Sequence, residues 1–425
     1  MGTNDYLPCN YYFEGSTTGV VTRFVQEALA RHLFTDWSEN DRMVVFLTKK
    51  ARERNWLDNG HLDRDGKRLQ REGLKRRLES LQLPVKIETQ EIKIGRTNEE
   101  MWDIFNVFYS KIKEEDIVYL DITHALRFLP MLALIILNYA KSIKKIKIEN
   151  IFYGSLEALG SIQELLKMKP KERRVPVLEF KGFIQLFDWT NASNNFINFG
   201  EVKDLETITK EYITDDLVKS KGEHKEAKAA SKSAKMLKAI SEDIKTCRTY
   251  NLIITENFEE IREQLAQTKT NYFQPLKPLI EKIDEKICDF KKGELKNGFV
   301  AVKWCIDHQL TQQGITILQE TVISLLVEKF FGKDAIVLLK KRAIVTKALN
   351  IKARKIAEEK WQATEEEKEI IKKILEKINE NLAKSFNSLS SARNDINHGG
   401  FIQPKSAEKL QKELKKHYET LSNFF

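Results

Sequence analysis

The fold turns on Asp116–Ala140, DIVYLDITHALRFLPMLALIILNYA. Asp116–Ile122 is an apolar run with β-branched and aromatic residues, which predicts a short buried strand. Thr123-His124 breaks it, and an apolar segment of helical length follows. Thr123 can cap the helix start, where unpaired backbone N–H groups and a positive dipole end suit an anion. Open α/β sheets hold phosphorylated ligands in this way, at the carboxyl ends of strands. Pro130 belongs in a first turn rather than deep inside a helix, so the regular helix is expected from near Phe128. Thr123–Arg127 then becomes an irregular turn. On these residues alone the stretch reads either as plain strand–turn–helix or as a ligand rim.

Working outward, 425 residues allow two or more domains, each with its own core. A hydrophobic fraction of 41%, a charged fraction of 31% and a net charge of +9 describe a soluble chain that favours an anionic partner. Cys9, Cys247, Cys288 and Cys305 lack CxxC spacing, which argues against a zinc site and a disulfide framework and fits a reducing cytoplasm. No signal peptide is evident, and the longest apolar run, Phe128–Leu137, is too short to span a bilayer. Cytoplasmic localisation without membrane attachment is the expectation.

Strand and helix patterns alternate through the first half. Tyr11–Gly15 reads as a strand or extended segment leading into an amphipathic helix over Thr22–Leu29. Arg42–Thr48 is a buried strand with Lys49 and Lys50 at its end, placed to meet phosphates or simply solvent. A helix runs over Glu72–Leu81 from near Asp65, Val85–Ile94 alternates as a strand, and Asn98–Ile112 is helical. Ile146–Tyr153 is a strand ending at Gly154-Ser155, and Val175–Phe180 is another. This alternation predicts a mainly parallel, doubly wound sheet. Right-handed crossovers gather the loops after Thr48, Ile122 and Tyr153 on one rim. Gly15–Gly19 is a small polar loop, more readily a solvated turn than a phosphate contact. Gly182–Phe199 carries Phe183, Leu186, Phe187, Phe196 and Phe199 at mostly helical spacing, which points to packing.

From about Glu201 strand patterns nearly vanish. Long Lys/Glu-rich amphipathic segments follow, which predicts an all-α region. Lys219–Lys238 is rich in Ala, Ser and Lys and reads as a solvated helical face, with RNA contact the sharper alternative. Asn297–Leu326 forms two core helices that Gly314 interrupts, and His308 within it is a boundary histidine. Ser385–Gly400, SFNSLSSARNDINHGG, is a helix stopped by paired glycines.

Asp121, Thr123, His124 and Arg127 resemble the DxTH signature of CRISPR-associated effectors with a CARF sensor domain. Ala125 stands where many relatives have Gly. Arg393-Asn394-Asp395-Ile396-Asn397-His398 is similar to the R-x4-H motif of the HEPN ribonuclease domain that ends many of them. A looser match, Arg54 to His61, is discounted because it lies in the α/β half. The resemblance implies a Rossmann-like CARF domain over 1–181, connecting helices over 182–215 and an all-α HEPN domain over 216–425. It implies an activator, cyclic oligoadenylate and most often the four-membered ring, held by Thr3, Asn4, Thr48, Lys49, Thr123, His124, Arg127, Gly154 and Ser155. Gly2-Thr3-Asn4 corresponds to a turn that follows an opening strand in these effectors. Either the chain begins late or another segment fills that strand position.

For metal-independent cleavage of single-stranded RNA, His398 suits general acid or base work on the ribose 2′-hydroxyl or the leaving 5′-oxygen. Arg393 suits the phosphate and its transition-state charge. Asn394 and Asn397 would support the site, and Asp395 would be structural. Five residues apart on an ideal helix, Arg393 and His398 diverge by about 140° at roughly 100° per residue. One pair cannot easily make both proton transfers, and two copies across a dimer axis can. The resemblance implies that arrangement, a homodimer or larger homo-oligomer, and with no carboxylate cluster in the sequence no metal or cofactor is expected. Two rivals remain open: a non-catalytic nucleotide sensor whose helical half binds a partner or nucleic acid, and a toxin-like ribonuclease active without ligand.

Overall fold

The computed structural model describes residues 1–16, 19–219, 221, 223–255, 258–268, 274–401 and 404–425. Thr17 and Thr18 of the Gly15–Gly19 loop, and Ser220 and Gly222 of the Lys219–Lys238 stretch, lie outside the described residues. The chain divides into two compact units, Met1–Gln185 and Leu186–Phe425.

The first unit orders β1 (Cys9–Phe13), β2 (Val20–Thr22), α1 (Val25–Leu33), β3 (Arg42–Leu47) and α2 (Lys49–Ala51). A π-helical turn at Arg52–Trp56 follows, then α3 (Leu74–Glu79), β4 (Lys86–Glu91), α4 (Asn98–Ser110), β5 (Ile117–Asp121) and α5 (Leu129–Lys144). β6 (Lys147–Gly154), α6 (Ile162–Lys167), β7 (Arg174–Glu179) and α7 (Lys181–Phe199) complete it, with α7 carrying the boundary between the units. The strands form a five-stranded sheet, β2-β1-β7-β6-β5, and a separate pair, β3-β4. Among the described residues three of the five pairings are parallel: β1–β7, β3–β4 and β5–β6. The other two, β1–β2 and β6–β7, are antiparallel, so the sheet is mixed.

Three apolar clusters support these layers. Phe24, Leu47, Trp56, Leu74 and Leu78 pack on one side of the β3-β4 pair. Tyr11, Phe13, Val25, Phe152 and Val175 form the second, and Ile136, Leu137, Ile148 and Ile151 the third. Each such side chain fully withdrawn from water contributes about 1.5–3 kcal/mol.

Three local expectations need correction. Thr123 does not cap α5; the helix starts at Leu129 with Phe128 at its N-cap and Pro130 in its first turn. The Thr123 hydroxyl bonds instead to Asp121 and to the Gly154 amide, partners that a helix-capping geometry would forgo. No helix begins near Asp65 either, because Gly66 has φ of 78° and Gly73 is the extended N-cap of α3. In α7 only Phe196 of the expected packing phenylalanines is buried, while Phe183, Phe187 and Phe199 are 67%, 49% and 68% exposed.

The second unit is helical: α8 (Lys203–Lys219), α9 (Lys225–Lys245), α10 (Thr249–Ile254), α11 (Phe258–Thr268) and α12 (Lys277–Ile287). These precede α13 (Asn297–Asp307), α14 (Thr311–Phe331), α15 (Leu339–Arg354), α16 (Glu365–Lys377), α17 (Glu380–Asn397) and α18 (Ala407–Ser422). α14 is buried along most of Gly314–Val327, with Thr316 and Glu320 half-buried on one face, as expected of a central helix. Gly314 lies inside α14, and the break before that helix falls at His308–Leu310. In α9 the alanines Ala227, Ala229, Ala230 and Ala234 face inward, so this Lys-rich segment is an amphipathic core helix.

Candidate functional site

Two groups of residues carry chemistry, one in each unit. In the first unit the Thr123–Phe128 turn after β5 is organised by Asp121. Its Oδ1 accepts from the Thr123 amide at 3.0 Å and the Thr123 hydroxyl at 2.6 Å, and its Oδ2 accepts from Gln26 Nε2 at 2.6 Å. The same Thr123 hydroxyl accepts from the Gly154 amide at 2.8 Å, tying the end of β5 to the end of β6. Burial raises the Asp121 carboxyl above its ordinary value, while the bonds from Thr123 and Gln26 pull it back down.

His124 stacks on Tyr6 with ring centroids 3.8 Å apart, and its Nε2 is enclosed without a partner. Burial lowers its imidazole to about 3, so the ring is neutral at physiological pH. The Gly2–Asn4 turn reaches this rim. The Gly2 amide donates to the Tyr6 hydroxyl at 2.9 Å, and a Cβ on Gly2 would lie 3.0 Å from the His124 carbonyl oxygen. Asn55, only 1% exposed, donates from Nδ2 to the carbonyls of Gly2 and Asn4 at 3.0 and 2.9 Å. His61 Nε2 lies 3.0 Å from Asn55 Oδ1.

Thr123 and Gly154 are therefore tied together, Gly2 lies beside His124, and Thr3 and Asn4 follow it with the Asn4 carbonyl held by Asn55. Thr48 is buried and caps α2 by accepting from the Ala51 amide at 3.2 Å, which starts the turn that carries Asn55. Ser155 is buried and engaged in its own turn, its amide donating to the Pro176 carbonyl at 3.0 Å. Lys49 and Arg127 are exposed, outside this bond network. Sequence reasoning missed Tyr6, Gln26 and Asn55. Arg54 and His61, discounted as a ribonuclease pair, are engaged in local structure, with Arg54 Nη1 donating to the Gly60 carbonyl at 3.1 Å.

In the second unit α17 ends at Asn397, with His398 as its C-cap and Gly399 and Gly400 at φ of 64° and 70°. These left-handed glycines release the chain from the helix, as Gly does at helix ends. Asn394, Asn397 and His398 are exposed and Arg393 is half-buried. Arg393 Nη1 donates to Gln319 Oε1 of α14 at 3.1 Å, and Gln319 Nε2 donates to the Ser390 hydroxyl at 2.8 Å. The Arg393 Nε is enclosed without a partner. Asp395 has a structural task, its Oδ2 accepting from the Lys405 amide at 3.1 Å. Phe401, just beyond, is 92% exposed. Among the described residues no group of three or more His, Cys, Asp or Glu side chains is placed to hold a metal ion. No described helix is long and apolar enough to cross a membrane.

Comparison with known proteins bears on the mixed α/β unit. Residues 2–157 match the family model described as the CARF domain of the CRISPR system endoribonuclease Csx1. A curated relative is the CRISPR-associated protein MJ1674 of Methanocaldococcus jannaschii, 23% identical over 362 residues. That alignment covers 76% of this chain and 51% of the relative, so the chain spans about half the length of the curated protein it matches. Together these likenesses support a CRISPR-associated protein with a CARF-type amino-terminal unit.

Proposed function

We propose that the chain is a cyclic oligoadenylate-activated endoribonuclease of type III CRISPR defence, cleaving single-stranded RNA in the cytoplasm without a metal. The observation that carries this reading is Arg393 held at the end of α17 with Asn394, Asn397 and His398 open to solvent. A phosphodiester approaching that surface meets an imidazole for proton transfer and a guanidinium for the phosphate charge. Attack by the 2′-hydroxyl then yields 2′,3′-cyclic phosphate ends. The rim formed by Gly2–Asn4, Thr123–His124 and Gly154 is the activator site. Its neutral hydroxyl, amide and imidazole groups suit adenine and ribose, while Lys49 and Arg127 supply positive charge nearby.

A homodimer is part of this reading, and an exposed face of α5 supports it. Met131, Leu134, Ile135, Tyr139 and Ile143 form an exposed apolar stripe along α5, immediately after the rim. Two copies meeting there about a two-fold axis would present two rims to one ring of even symmetry. Ligand binding would shift the pair toward the arrangement competent for cleavage. The deciding experiment is RNA cleavage in EDTA, titrated with cyclic tri-, tetra- and hexa-adenylate. Ligand-dependent cleavage abolished by His398→Ala, with ring binding retained, is expected. Cleavage without any ring would favour a constitutive nuclease, and persistent cleavage in His398→Ala would remove the site.

One observation favours the second reading, a sensor that does not cleave: Arg393 is half-buried and already bonded to Gln319. Ring binding without cleavage under any condition would establish it.

A further inference from the structure

α17 releases its chain through one tight turn. The Phe401 amide donates to the His398 carbonyl at 3.4 Å, and Gly399 and Gly400 between them have φ of 64° and 70°. Positive φ at both central positions is the sign pattern of a type I′ turn, which L side chains resist and glycine does not. Such a turn holds the α-carbons of its first and fourth residues within about 7 Å of each other. The far side is pinned as well. Pro404 lies 3.0 Å from where a Cβ on Gly400 would stand, and the Lys405 amide donates to Asp395 Oδ2 at 3.1 Å.

Phe401 is what this turn presents. Its side chain is 92% exposed, ahead of Leu339 at 81%, the next among the described large apolar residues. The ring edge rests on the Gly399 main chain, because a Cβ there would lie 3.5 Å from both Cδ2 and Cε2. Withdrawing such a ring from water contributes about 1.5–3 kcal/mol, and in this chain Phe401 forgoes nearly all of it. His398, Asn394 and Asn397 share the exposure, with Arg393 anchored to Gln319 on the same helix end. An imidazole and an open aromatic ring thus stand one turn apart.

We infer that Phe401 is a base-stacking platform, a specificity-determining residue that takes the base next to the scissile phosphate of single-stranded RNA. The inference rests on the reading of this helix end as a ribonuclease site. Every base has a π-face, so a flat ring selects unpaired nucleotides without selecting a sequence. Bases in a duplex are already stacked on one another, so duplex RNA is refused. The span from His398 to Phe401 is comparable to that from a backbone phosphate to the base beside it. A base lodged on Phe401 leaves its phosphate at His398 and Arg393, where proton transfer and charge balance are needed.

The test uses the 425-residue chain, with and without cyclic tetra-adenylate, and two short single-stranded oligonucleotides. One carries bases on 2′-O-methyl riboses, which offer no hydroxyl for attack, and the other has the same backbone made entirely abasic. Phe401→Ala is expected to weaken binding of the first by about 5–150-fold and to leave the second unchanged. Phe401→Trp should keep the wild-type preference for bases. Equal loss on both oligonucleotides, no loss on either, or no binding of either by the wild type overturns the platform. A change of sedimentation in Phe401→Ala overturns it too, making Phe401 a contact between copies. Cleavage of ordinary RNA is a separate readout. Base-dependent binding without any cleavage keeps the platform and removes the nuclease, whereas cleavage with KM unchanged in Phe401→Ala removes the platform alone.

Discussion

Glu27 shows how single residues hold the rim's surroundings. Its carboxylate is fully buried and accepts from Arg77 at 2.8 and 2.9 Å and from Thr22 at 2.6 Å. Burial alone would raise its pKa, but the Arg77 and Thr22 bonds outweigh that and hold it below the ordinary 4.5. A depressed carboxylate contributes stability present above the unfolded value and lost as pH falls through the folded one. Resistance to urea should therefore fall as pH drops below 4.5, and Glu27→Gln should flatten that dependence. At neutral pH the same change should cost about 1.5–3 kcal/mol, because Arg77 loses its buried carboxylate and keeps only Glu72. For His124, lowered to about 3, NMR should show no ring titration from about pH 8 to about pH 5. Thr123→Val should cost about 1–3 kcal/mol by leaving Asp121 and the Gly154 amide short of a bond, and should raise the ring concentration needed for activation. In the helical unit His398→Ala should lower cleavage by about 10²–10⁴-fold at saturating ring. The Arg393–His398 spacing was legible in the sequence, since it is local. Gln319, which anchors Arg393 from 74 positions away, was not, because no periodicity announces a partner on another helix.

Among the elements, α13 packs tightly on α14 at Gly298, where an added Cβ would fall 2.0 Å from the Thr321 hydroxyl and 2.8 Å from its Cβ. Thr321 is wholly buried and bonded to the Ile317 carbonyl, so it has little room to yield. Gly298→Ala should lower stability by about 1–3 kcal/mol, and Thr321→Ala in the same chain should restore part of it, both read by chemical denaturation. The strand–helix alternation made β3, β4, β5, β6 and β7 legible, because hydrophobic period reports which faces are buried. It does not report which edges pair, so neither the short β2 nor the division into two sheets could be read. The irregular Thr123–Arg127 turn and the start of α5 were legible through Pro130. The hydroxyl of Thr123 was misjudged because its partners, Asp121 and Gly154, come together only in the folded rim.

For the whole molecule, the exposed stripe on α5 makes association testable. Ile135→Glu, at a position 60% exposed in the single chain, should leave the monomer fold intact and shift sedimentation from dimer to monomer. Ring-dependent cleavage should fall with it. That loss differs from the loss in His398→Ala, which should remain dimeric. The two-part organisation was evident from the change in residue pattern near Glu201.

The grip of Asn55 on Gly2 and Asn4 is made wholly through main-chain oxygens. The loop's shape is thereby divorced from its side-chain identities. Exchanging Thr3 or Asn4 should keep the loop's contour, whereas losing the single amide at position 55 should not.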